Sequence, residues 1–462
     1  MQTWVSAELA TVDLGDARLG ERLVKLVDQL SQNPQGTFNE ACPGAADKKA
    51  AYRFFSNTRV EAEAILEAHI ESTWERVQQA RGRILVVQDS TSVDYGTHPH
   101  TEGLGPLETE HSRGFLVHSA LALTEQGVPL GLLHQARWTR DPAETGKRHT
   151  RRERLWQEKE SYKWQRTVEK IGAGQPAEKS FIIIGDRESD VYGLLATPRP
   201  AGVELLVRSA QDRRLQEEEG FLHAALTRGP AAGQVLVEVA RGKERNPRTA
   251  VCEVRFRRVT LRPPRHADAG VPKAPVEVWA VAITELHPPK GETALRWVLL
   301  ATWPIESFPQ ALEVASFYSK RWIVERYHFV LKSGCRIEAA QLRDWSRLER
   351  LEAVYAIIAW RLLAITYLAR LHPAEPCEPM LSREEWQVLY AHHHHKLAAE
   401  QAGVPTLAQA VEWIAKLGGY WGRRSDAPPG VKVLWRGLQF LQGMVEGFRL
   451  ASFLSQVEQR SG

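Results

Sequence analysis

The spacing of hydrophobic and polar positions changes character three times along the chain. Up to about residue 80 the period is helical. In LGDARLGERLVKLVDQL the leucines recur every three to four positions, and Asp16 stands where an N-cap belongs. Arg18, Arg22 and Lys25 follow at intervals of four and three, so they share one face of the predicted helix. A second basic group, Lys48, Lys49 and Arg53, lies in ADKKAAYRFF. From about residue 83 the pattern becomes short β-branched runs: RILVVQD, GFLVHSALALT, VPLGLLHQARW, FIIIGDRESD and ELLVRSA. A charged segment near 147–170 reads as helix between them. Strands alternating with helices predict a mixed or mostly parallel α/β sheet. From about 212 to 303 the strands lengthen and alternate with period two, as in TAVCEVRFRRVTL and VEVWAVAITEL, which predicts an antiparallel β insertion. From about 307 onward helical patterns dominate.

Composition narrows the class. With 462 residues, 43% of them hydrophobic, the chain can build two to four units with proper cores. Four scattered cysteines without a CxxC pair exclude a disulfide scaffold and a zinc module, and point to a reduced, cytoplasmic protein. The N-terminus lacks the pattern of a secretory signal. The longest apolar stretch, Val354 to Ala369, is interrupted by Arg361 and is too short to span a bilayer, so it reads as a core helix and no membrane is expected. The 60 basic and 56 acidic residues nearly balance, so only clustered charge speaks for nucleic acid. The run His392 to His395 reads as a helix-end cluster rather than a metal site.

Two acids follow four-residue apolar runs: Asp89 after Ile84 to Val87 and Gln88, and Asp186 after Phe181 to Ile184 and Gly185. Such runs suggest central strands, and parallel neighbours would bring both carboxylates to one crevice at their C-terminal ends. Close carboxylates repel and call for a hard cation, Mg²⁺ or Mn²⁺. Taken singly, an Asp ending a strand is more often a turn residue or cap; Asp94 and Asp190 rank below the other two. In FYSKRWIVERYHFVLKSG, Tyr318, Arg321, Glu325 and Lys332 are spaced by three, four and seven, which predicts one helix face carrying a hydroxyl, a guanidinium, a carboxylate and an ammonium. A phosphodiester site uses that mixture; a plain amphipathic helix with an Arg–Glu pair is the simpler alternative.

Together these residues resemble a known family. The spacing Y-x2-R-x3-E-x6-K at Tyr318, Arg321, Glu325 and Lys332, QDSTSVDY around Asp89 and GDRESD around Asp186 are similar to the cut-and-paste DDE transposases of bacterial insertion sequences, of the Tn-five type in the insertion-sequence-four family. LGDARL, SRGFLVHS, LGLLHQ and PPKGETALRW extend the likeness through nearly the whole chain. The resemblance implies an α/β, ribonuclease-H-like catalytic core with an antiparallel β insertion, flanked by N-terminal and C-terminal helical domains. It implies an end-binding domain over 1–75, a catalytic domain over 76–345 with its insertion at 212–303, and a dimerisation domain over 346–462. It further implies a metal-binding catalytic triad of Asp89, Asp186 and Glu325 with two Mg²⁺ ions, or Mn²⁺ in their place. Tyr318, Arg321, Lys332 and Arg208 would contact DNA near the site, Trp297 would stack on a flipped base, and Arg18, Arg22, Lys49 and Arg53 would contact the transposon end. Otherwise Trp297 reads as a core residue of a strand. The implied partners are double-stranded DNA, both ends and target, and a second copy of the chain, working at the bacterial nucleoid. A catalytically inactive, end-binding relative is the competing expectation; the presence of all three acids with Arg321 and Lys332 argues against it.

Overall fold

The computed structural model describes residues 4–461 apart from 35, 43, 110–111, 145–153, 217–219, 240–245, 267, 379, 397–402 and 424–427. Five helices come first: α1 (Trp4–Glu8), α2 (Ala17–Gln32), α3 (Phe38–Ala41), α4 (Ala45–Phe55) and α5 (Ala62–Gln79). Asp16 caps α2 as its position suggested, its carboxylate accepting from the Arg18 amide at 3.0 Å. Next come β1 (Ile84–Asp94), β2 (Gly105–Pro106), β3 (Arg113–Leu123) and β4 (Pro129–Trp138), then α6 (Lys163–Gly174), β5 (Phe181–Gly185), α7 (Tyr192–Ala196) and β6 (Val203–Arg208). The insertion contains α8 (Leu222–Thr227), β7 (Gly233–Val239), β8 (Arg248–Leu261), β9 (Val276–Glu285) and β10 (Arg296–Ala301). The helices α9 (Phe308–Ser319), α10 (Trp322–Phe329), α11 (Trp345–Leu371), α12 (Arg383–His394), α13 (Leu407–Leu417) and α14 (Val431–Ser461) complete the chain.

The described strands form one mixed sheet in the order β2-β3-β1-β5-β6-β10-β9-β8-β7, with β4 on β3. Only β1, β5 and β6 run parallel. The insertion does not form a separate layer: β10 pairs antiparallel with β6, so its strands prolong the core sheet. Strand parity sorts the interior. Leu85, Val87, Ile182 and Ile184 face one core with α9 to α11, while Ile84, Val86, Phe181 and Ile183 face the other with α6. This double burial is why those strands read as unbroken apolar runs.

One expectation changes, and another holds with a longer helix than its apolar stretch suggested. Of the charged segment near 147–170, residues 145–153 lie outside the described residues, and the helix begins only at Lys163. Before it, 3₁₀ turns at Trp156–Glu158 and Glu160–Tyr162 bury Trp156, whose amide donates to Ala269 O at 3.0 Å. Pairing with a distant loop outweighs local helical propensity there. The apolar stretch in α11 lies within a helix long and apolar enough to cross a membrane, but its apolar window is 83% buried by the rest of the fold. The helix is the hydrophobic spine between the sheet and the N-terminal helices, sharing a core with Leu26, Phe55 and Val87.

Polar contacts fasten the N-terminal helices to the rest. Arg76 of α5 holds Glu8 of α1 at 2.8 and 2.9 Å and Leu130 O of β4 at 2.5 Å. His69 is fully buried; its Nε2 accepts from the Leu132 amide, so its proton sits on Nδ1, 2.5 Å from Glu8. Burial works against the Glu8 charge, but His69 and Arg76 outweigh it and hold the carboxyl at about 2.

Candidate active site

Register places the first two acids. β1 and β5 pair as Val87↔Ile184, so two residues further on Asp89 and Asp186 are level on neighbouring parallel strands. Both continue the parity that faces α10. Asp89 does not end its strand, as its sequence context suggested. β1 continues to Asp94, held along its length by β3, with Asp89 opposite Ser119. The crevice opens because β5 stops at Gly185, leaving one edge of β1 without a partner strand from Asp89 onward. Gly185 allows the stop: a Cβ there would come within 2.2 Å of Ser189 Oγ. Asp186 then caps a 3₁₀ turn, accepting from the Glu188 amide at 2.8 Å.

Arg321 joins the first and third acids. Its Nη1 lies 3.3 Å from Asp89 Oδ2, and its Nη2 binds Glu325 Oε1. The Asp89 side chain is 15% exposed. Burial, and next the charge of Asp186, push its carboxyl up to about 7 against the pull of Arg321 and the Ser90 amide. Burial opposes the Arg321 charge too, yet its hydrogen bond to Glu325, with the charges of Glu325 and Asp89, holds its pKa above the usual value.

The Asp89 shift has a measurable sign. Because the folded pKa exceeds the unfolded value, Asp89 favours the fold at low pH, and that contribution is lost as pH rises from about 4 through about 7. In chelator, the melting advantage of Asp89→Asn over the parent should widen from pH 5 to pH 8, toward a few kcal/mol. Thermal melting at both pH values tests this; a constant gap would mean Asp89 is not strained by its neighbours.

The expected single helix face at 318–332 is three segments. At Lys320–Arg321 the hydrogen bonds step back three residues instead of four, Arg321 N to Tyr318 O and Val324 N to Arg321 O, which separates α9 from α10. Beyond α10, Val330–Gly334 widens into a π turn, with Cys335 N bonded to Val330 O at 2.8 Å. Tyr318 therefore lies in the last turn of α9, is 4% exposed and stacks edge-on against Trp297, centroids 5.3 Å apart. It supports Trp297 rather than facing solvent. Lys332, on the π turn, reaches Ser92 O at 2.8 Å and Glu338 at 2.9 Å, three residues along β1 from Asp89. Arg208, one step beyond the Gly185↔Val207 pair, is level with Asp186 and donates to Arg296 O at 3.2 Å. Trp297 is half-buried on β10. Asp190 is a structural residue: Arg213 and the amides of Ala210 and Gln211 take up its carboxylate.

The N-terminal basic residues divide. Arg22 and Lys25 bind Asp47 at 3.5 and 2.7 Å and thereby clamp α2 onto α4. Arg18 is 88% exposed beside Asp16. Lys49 and Arg53 are exposed and have no ion-pair partner among the described residues.

Beneath the acids lies a polar layer that no sequence motif marks. Ser119, opposite Asp89, accepts from Gln135 Nε2 at 3.1 Å, and its hydroxyl stands 3.2 Å from His328 Nε2. His328 lies one turn beyond Glu325, and burial pushes its pKa down to about 3, so it is neutral. Gln135 also reaches the Tyr327 hydroxyl at 3.2 Å and Arg137, which pairs with the equally buried Glu352 of α11. On the other face of β1, Ser90 binds His118 Nδ1 at 2.9 Å. The available signal was polar residues at core-facing positions inside apolar strands, as in LVHSALAL.

The carboxylates suit a hard divalent cation. Asp89 and Asp186 supply oxygen donors that raise each other's need for positive charge, and the nearest cation is a guanidinium tied to the third acid. Among the described residues no three acidic, His or Cys side chains converge as a complete metal cage; Glu325 is paired with Arg321.

Comparisons with known proteins agree with this geometry. Residues 82–361 match the family model described as Transposase DDE domain, residues 1–60 that of Transposase DNA-binding, and residues 357–458 that of Transposase Tn5 dimerisation domain. Among solved structures, a piggyBac transposase synaptic complex with hairpin DNA is similar at a TM-score of 0.39 and 8% identity, over 97% of this chain and 78% of that one.

Proposed function

The chain belongs to the DDE transposase family, with a ribonuclease-H-like core, and from that premise we propose that it moves an insertion sequence by cut-and-paste transposition. The observation that carries this reading is the level placement of Asp89 and Asp186 on parallel strands, facing a helix that presents Glu325. Four in-line phosphoryl transfers make up the reaction. Water attacks the phosphodiester at the element's end and frees a 3′-OH. The 3′-OH attacks the opposite strand to form a hairpin and release flanking DNA. Water reopens the hairpin, and the 3′-OH joins target DNA.

Asp89, Asp186 and Glu325 would hold two Mg²⁺ ions, or Mn²⁺. Such ions lower the pKa of the attacking oxygen and stabilise the leaving one. The protein's own residues do the positioning. Arg321 neutralises the crowded carboxylates before DNA arrives and can then turn to a phosphate. Arg208 and Lys332 flank the acids from two sides for the same purpose, while Tyr318 braces Trp297. Arg18, Lys49 and Arg53 offer exposed charge to the transposon end, and Arg22 lies beside them. Two copies would pair through α14, whose Phe440, Leu450, Phe453, Leu454 and Val457 lie exposed within less than half its circumference. Four unpaired cysteines suit a cytoplasmic, nucleoid-bound protein.

The test is incubation with labelled duplex carrying the element's own terminal repeats and Mg²⁺ or Mn²⁺. Hairpin and joined products support the reading; a shifted but uncut complex would replace it with a protein that pairs ends without cutting. In the same assay Trp297→Ala should accumulate the first nick, because an unstacked base costs a few kcal/mol without an aromatic surface. A normal hairpin yield would remove Trp297 from that role.

A further inference from the structure

Trp322, Arg326 and Phe329 follow at i, i+4 and i+7 on α10, so they form one strip. Phe329 is also four residues beyond Glu325, which makes the strip contiguous with the acidic site. Its aromatic rings are open to solvent: Trp322 is 57% and Phe329 37% exposed. Two cations sit on Phe329, the Arg326 guanidinium and the Lys432 ammonium from the start of α14, each 5.4 Å from the ring centroid. A third is adjacent. Arg370 of α11 lies over the Tyr367 ring and donates to Pro429 O at 3.1 Å, holding the segment that leads to Lys432. Tyr367 feels the charge of both Arg370 and Arg326, so these two cations share its neighbourhood, while Arg326 and Lys432 share Phe329.

Many of the protein's arginines are matched by acids, as Arg76 is by Glu8, Arg140 by Glu160, Arg213 by Asp190 and Arg248 by Glu285. Among the described residues, none of Arg326, Arg370 and Lys432 has an ion-pair partner. Three uncompensated cations from three helices, gathered around exposed flat rings, are complementary to a polyanion that also offers flat faces.

We propose that Trp322, Arg326 and Phe329, completed by Lys432 and Arg370, form a sequence-independent DNA-backbone site that adjoins Glu325. The ligand is a DNA phosphate backbone crossing α10 as it enters or leaves the acidic crevice; its identity as DNA rests on the transposase reading. The strip takes its charge from α14 and α11 as well as α10, so it depends on the C-terminal helices being docked on the catalytic core.

The test measures binding and needs no cleavage. Fluorescence anisotropy with a labelled terminal-repeat duplex and a labelled random duplex is followed from about 50 to about 200 mM salt. Each phosphate contact contributes about 0.9 to the salt slope. The Arg326→Ala/Lys432→Ala variant should therefore lose about 2 in slope, so that over this range the parent weakens on the order of tenfold more than the variant. Lys432→Gln alone should lose about 1, and Lys432→Arg should keep the parent slope. The decrement should be equal on both duplexes, because backbone contacts do not read sequence. An unchanged slope in a double variant that melts like the parent overturns the proposal. So does a decrement confined to the terminal-repeat duplex. Cleavage and joining assays then separate the two sources of backbone: loss of end nicking assigns the strip to the element's end, and loss of joining by pre-cut ends alone assigns it to target DNA. If the parent cuts nothing, the transposase reading fails while the salt slope still decides the strip.

Discussion

Asp89→Asn is expected to abolish end cleavage, with a loss of at least roughly 10³-fold, or about 4 kcal/mol in the barrier. Asp186→Asn and Glu325→Gln should do the same. Each change keeps shape and removes one charged oxygen donor, and reactions of this kind draw nearly all their acceleration from charge placement. End binding should persist within a few-fold, since removing a negative charge does not weaken a hold on phosphates. Nicked product on a denaturing gel, read beside anisotropy on the same duplex, separates the two effects. Near-parental cleavage by any one variant would remove that residue from the catalytic set. Asp89→Asn should also melt higher than the parent at pH 8 in chelator. A residue whose loss kills chemistry while stabilising the fold is one kept under electrostatic strain for function.

Arg137→Met is expected to destabilise the protein by about 3–5 kcal/mol, the largest stability effect of any substitution argued from this structure. The side chains of Arg137 and Glu352 are both fully buried, so removing the cation leaves a carboxylate without compensation between β4 and α11. Burial already raises the Glu352 pKa against the pull of Arg137. The double variant Arg137→Met/Glu352→Leu should recover most of the loss, because it removes the buried charge altogether. Thermal melting of the two single variants and the double checks this. A single variant as stable as the parent would mean that water reaches the pair. Arg137 also contacts Gln135, which supports Ser119 opposite Asp89, so the single variant should cleave less per folded molecule; parental cleavage would confine the pair to a structural role.

The readable parts of this protein were those governed by local rules. Strand runs such as FIIIG, the cap at Asp16 and the buried spine at Val354 to Ala369 depend on side-chain period and burial within a dozen residues, and each stands where its pattern put it. The transposase family was legible because motif spacing survives independently of packing. The segment 318–332 shows the limit. Its spacing fits one continuous helix, but the chain breaks at Lys320 and widens after Phe329, which buries Tyr318 and sends Lys332 to Ser92 and Glu338. Helical wheels assume a constant pitch, and the 3₁₀ step and π turn both change the phase.

Asp89 and Asp186 mark the same division. From the sequence alone come two acids after apolar runs, their preference for hard cations and the order of the elements around them. That they lie level, that the crevice exists because β5 stops while β1 continues, and that Arg321 stands between two of the acids are decisions of the tertiary structure. So are the buried layer of Ser119, Gln135 and His328 and the cations gathered over Phe329 from separate helices. The physical reason is range. Period, capping and burial preference act between residues close in sequence, whereas charge neutralisation acts between residues close in space, here more than 230 positions apart in the chain for Asp89 and Arg321.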